Sequence, residues 1–216
     1  MSVFITRRRC LQTLLGLGSS LTFSACVTRP GNGGYDYELT LKPQPITLIA
    51  GTSTPAWTFN GEFPGPTLRL RQNRPVRILV RNELPESTTI HWHGIRLNNA
   101  ADGVPGLTQD PIPPGGSFVY EFTCPDAGTF WYHPHVNSVE QLGRGLVGLL
   151  IVDEEKPVLF HDDLSLVLKD WCLNPDGSFA AFTSHRAAAR AGTLGNHATV
   201  NGKASERLTL AAGSVV

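Results

Sequence analysis

The sequence predicts an all-β protein built as an antiparallel β-sandwich or barrel. Short runs of alternating polarity, rich in residues that favour strands, recur along the chain. The first four are 37–41, 46–49, 67–71 and 76–80. Turn sequences such as Asn60-Gly61 and Pro64-Gly65-Pro66 separate them, and short strands at this spacing are typical of sandwiches and barrels.

Later runs continue the pattern. Glycines at 143, 145 and 148 lead directly into an apolar β-like run, whereas a dinucleotide site needs its glycines between a strand and a helix. Residues 143–152 therefore predict a tight entry into a buried strand, with a helical turn before it at 139–142. A last strong strand is expected at 165–168, followed by a loop or linker over 174–195 with a short helical patch at 186–190.

Charge gives no reason to expect a nucleic-acid partner. The chain carries 18 basic and 18 acidic residues. Residues 1–25 hold three arginines and no acid, so 15 basic and 18 acidic residues remain without them, a formal charge of −3. An apparent basic stripe alternates with apolar residues, which favours the solvated face of strands. It consists of Arg69, Arg71, Arg77 and Arg81.

Residues 1–25 predict an export signal. Arg7, Arg8 and Arg9 precede a short apolar run, the layout of a secretory leader, and the arginine pair resembles a twin-arginine signal. The run is too short to span a membrane, which takes about 20 apolar residues. Two endings stay open, cleavage near Ala25 or a lipid anchor on Cys26. Both predict an exported, periplasmic protein, with residues 26–38 as a flexible tether.

Outside this leader the sequence contains Cys124 and Cys172. An oxidising compartment would allow them to pair, but sequence does not give the distance between their Cα atoms. The expectation is two separate, partly buried thiols, with a disulfide as the alternative.

Four of the seven histidines form two His-x-His clusters. In a strand, side chains alternate between faces, so His91 and His93 point the same way and Trp92 points into the opposite layer. His133 and His135 repeat the arrangement after a strongly β-forming aromatic run, 129–132. Two such pairs favour a metal site over satisfied core histidines, and all-imidazole ligation suits copper, zinc, iron or nickel.

On these two motifs, HWHG at 91–94 and HPH at 133–135, the chain resembles the first domain of a bacterial multicopper oxidase of the laccase-like group. The resemblance extends from about Thr40 to the C-terminus. It implies a cupredoxin Greek-key fold, with residues 39–190 as the first cupredoxin domain. It also implies an enzyme that passes single electrons from a small-molecule or metal-ion donor to O2.

The resemblance assigns roles to the histidines. His91 would bind the type 2 copper, and His93, His133 and His135 the type 3 pair, while Asp102 stands where relatives carry an acid that helps to protonate oxygen. A complete site in this family takes four more histidines from C-terminal segments that also hold the type 1 ligands. No cysteine here has a histidine neighbour, and the other three histidines are isolated. The resemblance thus implies half of a trinuclear site and no type 1 centre.

An internal repeat predicts the start of a second cupredoxin domain over 191–216. The sequence Thr-Phe-Asn-Gly at 58–61 is echoed by Thr-Val-Asn-Gly at 199–202, and Leu68, Leu70 and Val76 recur as Leu208, Leu210 and Val216. Such a partial repeat favours a truncated gene product, which resequencing past the codon for Val216 would test. A complementary C-terminal half or an oligomer is the partner that this implies.

Two functions follow. The first is the copper-binding N-terminal part of an oxidase that reduces O2 to water, inactive as this chain alone. The second is a non-catalytic exported domain that binds copper or zinc through four imidazoles.

Overall fold

A computed structural model of the chain describes residues 34–156, 158, 160–182, 186, 194–204 and 207–213. The predicted export signal, Cys26 and residues 214–216 lie outside this part, as does nearly all of the predicted helical patch at 186–190. Within the described part, no helix combines the length and apolar character needed to cross a membrane.

Ten strands, one α-helix and one 3-10 helix are defined among the described residues. The strands are β1 (Tyr37–Pro43), β2 (Trp57–Phe59), β3 (Gly65–Arg71), β4 (Pro75–Asn82), β5 (Ile90–His93), β6 (Ser117–Thr123), β7 (Gly128–Pro134), β8 (Gly148–Asp153), β9 (Leu168–Trp171) and β10 (His197–Val200). The α-helix, α1, spans Ser138–Gly143, and the 3-10 helix spans Asn99–Ala101.

The first eight strands form two four-stranded sheets that share one hydrophobic core. The sheet orders are β2-β1-β4-β6 and β3-β8-β7-β5, and β9 pairs with β10 in a separate hairpin. Each of the eight strands contributes to the core, through Leu39, Phe59, Leu68, Ile78, Trp92, Tyr120, Tyr132 and Leu150. Alternate residues of β3 face solvent, as the polarity of the sequence predicts, and β4 does the same except at Leu79, which is buried. The all-β, two-sheet fold class is therefore confirmed.

Strand direction differs in part from the prediction. Most pairings are antiparallel, but β1 pairs with β4 and β3 with β8 in parallel. The chain crosses to the other sheet between the members of each pair and returns in the same direction, which a local hairpin cannot do. Hydrophobic alternation is the same for parallel and antiparallel neighbours, so it does not predict this difference.

Two predicted strands also differ. Residues 46–49 make a single bridge, from Ile46 to Thr54, and the chain then bends so that Leu48 packs on Trp171 and Leu173 in a second, small apolar cluster. The strand predicted at 165–168, expected to be the last strong one, corresponds to β9, which begins at Leu168, and β10 follows it at His197–Val200.

Other local predictions are confirmed. The segment 138–143 is helical and leads into the buried strand β8. Cys124 and Cys172 are free thiols. The four predicted stripe arginines are exposed, and three of them form ion pairs: Arg69 with Asp153 and Asp163, Arg77 with Glu121, and Arg81 with Glu38.

The Asn-Gly turn after β2 is fastened to β1. Asn60 and Gly61 both have positive φ, 55° and 83°, a conformation that these two residue types tolerate best. The Asn60 side chain accepts a hydrogen bond from the Thr40 amide at 2.7 Å and donates one to the Glu38 carbonyl at 3.0 Å.

The same arrangement recurs at the second Asn-Gly turn, after β10. Asn201 and Gly202 have φ of 49° and 79°. The Asn201 side chain accepts from the Val167 amide at 2.8 Å and donates to the Ser165 carbonyl at 3.1 Å. The short sequence repeat therefore corresponds to a structural repeat: in both copies, the asparagine of an Asn-Gly turn is hydrogen-bonded to the backbone of an earlier segment.

Candidate metal centre

The two His-x-His motifs lie side by side, with His91 and His93 on β5 and His133 on β7, which ends one residue before His135. These strands are antiparallel neighbours, and their register places His91 opposite His133 and His93 opposite Trp131. Trp92 points to the other face, where it is fully buried among Tyr120, Phe122 and Tyr132. The alternation predicted for His-Trp-His is therefore observed, and strand pairing converts two separate motifs into one cluster.

Three of the predicted ligands converge. His91, His93 and His133 each bring one ring nitrogen into a group within 4.8 Å, a set that could hold a metal ion. His93 Nδ1 lies 3.2 Å from His133 Nε2. Because imidazole nitrogens bind such ions at about 2.0 Å, one ion between these two atoms would have an N–metal–N angle of roughly 106°, close to tetrahedral. These two rings therefore suit a shared ion.

His135 lies beside His91 but outside that group of three. The two rings stack, with centroids 4.3 Å apart and planes inclined by 27°. A ligand lone pair lies in the plane of its ring, so an ion bound in the plane of one stacked ring lies away from the plane of the other. This geometry favours two separate ions, one for each ring, over one shared ion.

Asp102 orients His91. Its backbone oxygen lies 2.8 Å from His91 Nδ1, and its carboxylate Oδ1 lies 3.4 Å from the same nitrogen. A carbonyl oxygen only accepts hydrogen bonds, so Nδ1 carries the proton and Nε2 keeps its lone pair for a metal. The carboxylate is about one third exposed to solvent.

Burial lowers the pKa of two of the four histidines, His133 and His135. It lowers the pKa of His133 to about 4, and the neighbouring histidines act in the same direction, against an opposing hydrogen bond to the Pro134 carbonyl. Burial also lowers the pKa of His135. A neutral imidazole is the form that binds metals, so the lowered pKa values favour the metal-binding form of His133 and His135, and an all-imidazole donor set fits copper or zinc.

Trp131 belongs to the centre although the motifs alone do not reveal it. Its ring stacks on His93 at 4.6 Å and on His133 at 4.2 Å between centroids. The signal in the sequence was the spacing of two between Trp131 and His133, which puts both on one face of β7. The indole limits the rotation of both imidazoles.

Comparison with known proteins identifies the family. The family model described as multicopper oxidase matches residues 24–157, more than half of the chain. The chain belongs to the multicopper oxidase family. It is 39% identical over 164 residues to a copper resistance protein A homolog of Pseudomonas syringae pv. tomato, covering 73% of this chain and 27% of that protein. It is 47% identical over 102 residues to laccase-1 of Emericella nidulans, covering 46% of this chain and 16% of that protein.

The solved structure of a multicopper oxidase from Pseudomonas thermotolerans is similar, with 50% identity and a TM-score of 0.74 over 77% of this chain and 41% of that one. The cupredoxin fold implied by the resemblance is therefore confirmed. The chain spans about a quarter of the copper resistance relative and two fifths of this oxidase.

Proposed function

We propose that this chain supplies the N-terminal half of a trinuclear copper site in a multicopper oxidase. Copper bound there would supply the one-electron chemistry that couples oxidation of a small molecule or metal ion to reduction of O2 to water. The observation that carries the proposal is a cluster of four imidazoles: His91, His93 and His133 converge, with a short contact between the last two, and the His135 ring stacks on His91.

The ring geometry supports a division of the ligands. His93 and His133 would share one type 3 ion, since their nitrogens are 3.2 Å apart. His91 and His135 would bind different ions, the type 2 and the second type 3 copper, because their rings stack. The Asp102 carboxylate, next to His91 and partly exposed, would hold or relay protons for oxygen reduction.

The chain alone would not turn over. It lacks a cysteine next to a histidine, the sequence that would provide a type 1 site, and it carries only half of the expected histidines. A complementary C-terminal half or an oligomer would supply the rest. The arginine-containing segment at 1–25 supports export to the periplasm, with Cys26 as the residue that a lipid anchor would use.

The repeated turn supports a second cupredoxin domain that begins within this chain. In the first copy Leu41 lies opposite Phe59, and in the second Leu168 lies opposite Val200. Because β9 belongs to the second copy, we propose that the second cupredoxin domain begins before Ser165 rather than near residue 191.

A second candidate is a non-catalytic copper- or zinc-binding domain. It is favoured by the group of three nitrogens within 4.8 Å, which needs no ligand from elsewhere. Nothing in an all-imidazole set selects copper over zinc.

Copper content, absorption and electron paramagnetic resonance of the purified chain test the proposal. The chain is loaded with copper anaerobically and then exposed to air. We expect stoichiometric copper, a type 2 signal, no blue absorption band and no O2 uptake with a phenol. A double variant, His93→Ala with His135→Ala, is expected to lose this copper, whereas His161→Ala, a histidine outside the cluster, serves as the control.

The possible results separate the two candidates. Oxygen consumption by the chain with copper alone would contradict the proposal that it is half of a site. If the chain binds zinc as tightly as copper, and the copper-loaded chain shows no type 2 signal, the non-catalytic domain is favoured. Binding no tighter than millimolar would contradict both.

A further inference from the structure

A partly buried polar network holds the segment that follows His135. It consists of Glu86, Thr88, Asn137 and Gln141, called here the Gln141 network. Gln141 lies on α1, which begins three residues after His135, and it is fully buried. Burying an amide is costly unless its polar atoms are hydrogen-bonded, so the contacts of this side chain decide what it does.

The Gln141 amide joins α1 to the segment that leads into β5. Its Nε2 donates to Glu86 Oε1 at 2.7 Å and to the Ser87 carbonyl at 2.9 Å. Its Oε1 accepts from the Thr88 hydroxyl at 2.8 Å. Three consecutive residues that precede the first histidine strand are thus bound by one side chain that follows the second.

Asn137 adds a second link to the same carboxylate. It lies two residues after His135, in a left-handed conformation with φ of 43°. Its Nδ2 lies 3.2 Å from Glu86 Oε1 and 3.3 Å from Glu140 Oε2. The turn between His135 and α1 is therefore tied to Glu86 as well.

These links act where strand pairing stops. The paired residues of β5 and β7 run from His93 opposite Trp131 to Ile90 opposite Pro134. His135 is one residue beyond the last pair, so the ladder does not fix its position relative to His91. The next connections between these two segments are those of the Gln141 network.

We propose that Gln141 is the positioning residue for His135: by tying α1 to residues 86–88, it sets where the His135 ring stands relative to His91 across the metal centre. The inference rests on the proposed function, because the consequence is measured as copper binding. Gln141 itself would not touch the metal.

A double-mutant cycle tests whether Gln141 acts through His135. The probe is Cu²⁺ alone, and its affinity is measured by competition with a chelator for the wild-type chain, Gln141→Leu, His135→Ala and the double variant. In the wild-type background we expect Gln141→Leu to weaken binding by about 10–100-fold, the usual effect of removing a group that orients a ligand. In the His135→Ala background, where the other three histidines remain, we expect less than about a twofold change, since the residue to be positioned is gone.

A matched control separates this effect from a general loss of stability. Gln72→Leu removes a comparable bond, from Nε2 to the Pro125 carbonyl at 2.9 Å, in the turn between β3 and β4, and should leave copper affinity unchanged in both backgrounds. If Gln141→Leu does not fold, Thr88→Val removes the 2.8 Å hydroxyl bond to Gln141, together with a longer one of 3.4 Å to the Thr89 carbonyl, and should show the same dependence on His135 with a smaller loss.

Equal losses in both backgrounds, or no loss in either, would overturn the inference, because a purely structural role does not depend on His135. A wild-type chain that binds no copper would contradict the proposed function, and this inference with it.

Discussion

Single residues decide how the His91 ring is presented. Asp102 follows the 3-10 helix and offers its carbonyl to His91 Nδ1, and Gly103 allows this loop to lie against β5. A Cβ on Gly103 would be 1.9 Å from the Ile90 carbonyl oxygen, closer than any real contact. The φ of Gly103 is also positive, at 75°. A residue with a side chain therefore cannot occupy this position without moving the loop.

We expect Gly103→Ala to lower both stability and copper affinity. The clash adds to the cost of a positive φ, which is about 1–2 kcal/mol for alanine, and should bring the total loss in the free energy of unfolding above about 3 kcal/mol. The loop must then shift, so the bond from His91 to Asp102 is weakened. Urea unfolding and copper competition measure the two effects.

Gly106→Ala is the matched control, because Gly106 has a φ of 73° in the same loop but a Cβ there meets nothing within 4 Å. It should show only the cost of its φ and keep its copper affinity. If both variants lose stability and affinity equally, the close approach of Gly103 to β5 does not matter for the site.

At the level of elements, pairing of β5 with β7 builds the centre. His-x-His alternation places two imidazoles on one face of each strand, and the register then sets His91 opposite His133. The sequence predicts the alternation but not the register, because even His93 and His133 are 40 residues apart and many registers satisfy the same alternation.

The two Asn-Gly turns should have separate effects on stability. Asn60→Ala removes two side-chain hydrogen bonds to β1 and forces alanine to a positive φ, so we expect the sandwich to lose about 2–3 kcal/mol in urea unfolding. Asn201→Ala should instead speed amide hydrogen exchange in β10 and leave exchange in β5 and β7 unchanged.

The corresponding glycine variants are controls for this comparison. Asn60→Gly and Asn201→Gly accept the positive φ and lose only the hydrogen bonds, so each should be milder than its alanine counterpart. Faster exchange throughout β5 and β7 in Asn201→Ala would mean that the two hairpins are one cooperative unit.

For the molecule as a whole, metal binding should be coupled to folding. The four histidines belong to one sheet of a sandwich whose core draws on all eight strands of both sheets, so the geometry of the site exists only when the sandwich is folded. Free copper at about 100 times its dissociation constant should raise the free energy of unfolding by about 2.7 kcal/mol, less any binding to the unfolded chain.

Urea unfolding with and without copper measures this gain. The double variant His93→Ala with His135→Ala should lose most of it, while His161→Ala should keep it. A gain of the same size in the double variant would place the stabilising copper outside the proposed centre.

The sequence by itself determined the class of fold, the candidate metal-binding histidines and most of the strands. These properties follow from local patterns: alternation along a strand, Asn-Gly turns, and the chemistry of imidazole. The buried Trp92, the helix before β8 and the exposed arginines were predicted on the same basis.

Only the tertiary structure decided which of these residues meet. It paired β5 with β7, made two strand pairs parallel, stacked Trp131 on two histidines and tied Gln141 to residues 86–88. The physical reason is that these contacts join segments far apart in the chain. They depend on how it crosses between the sheets, and a period of two along a strand carries no information about that crossing.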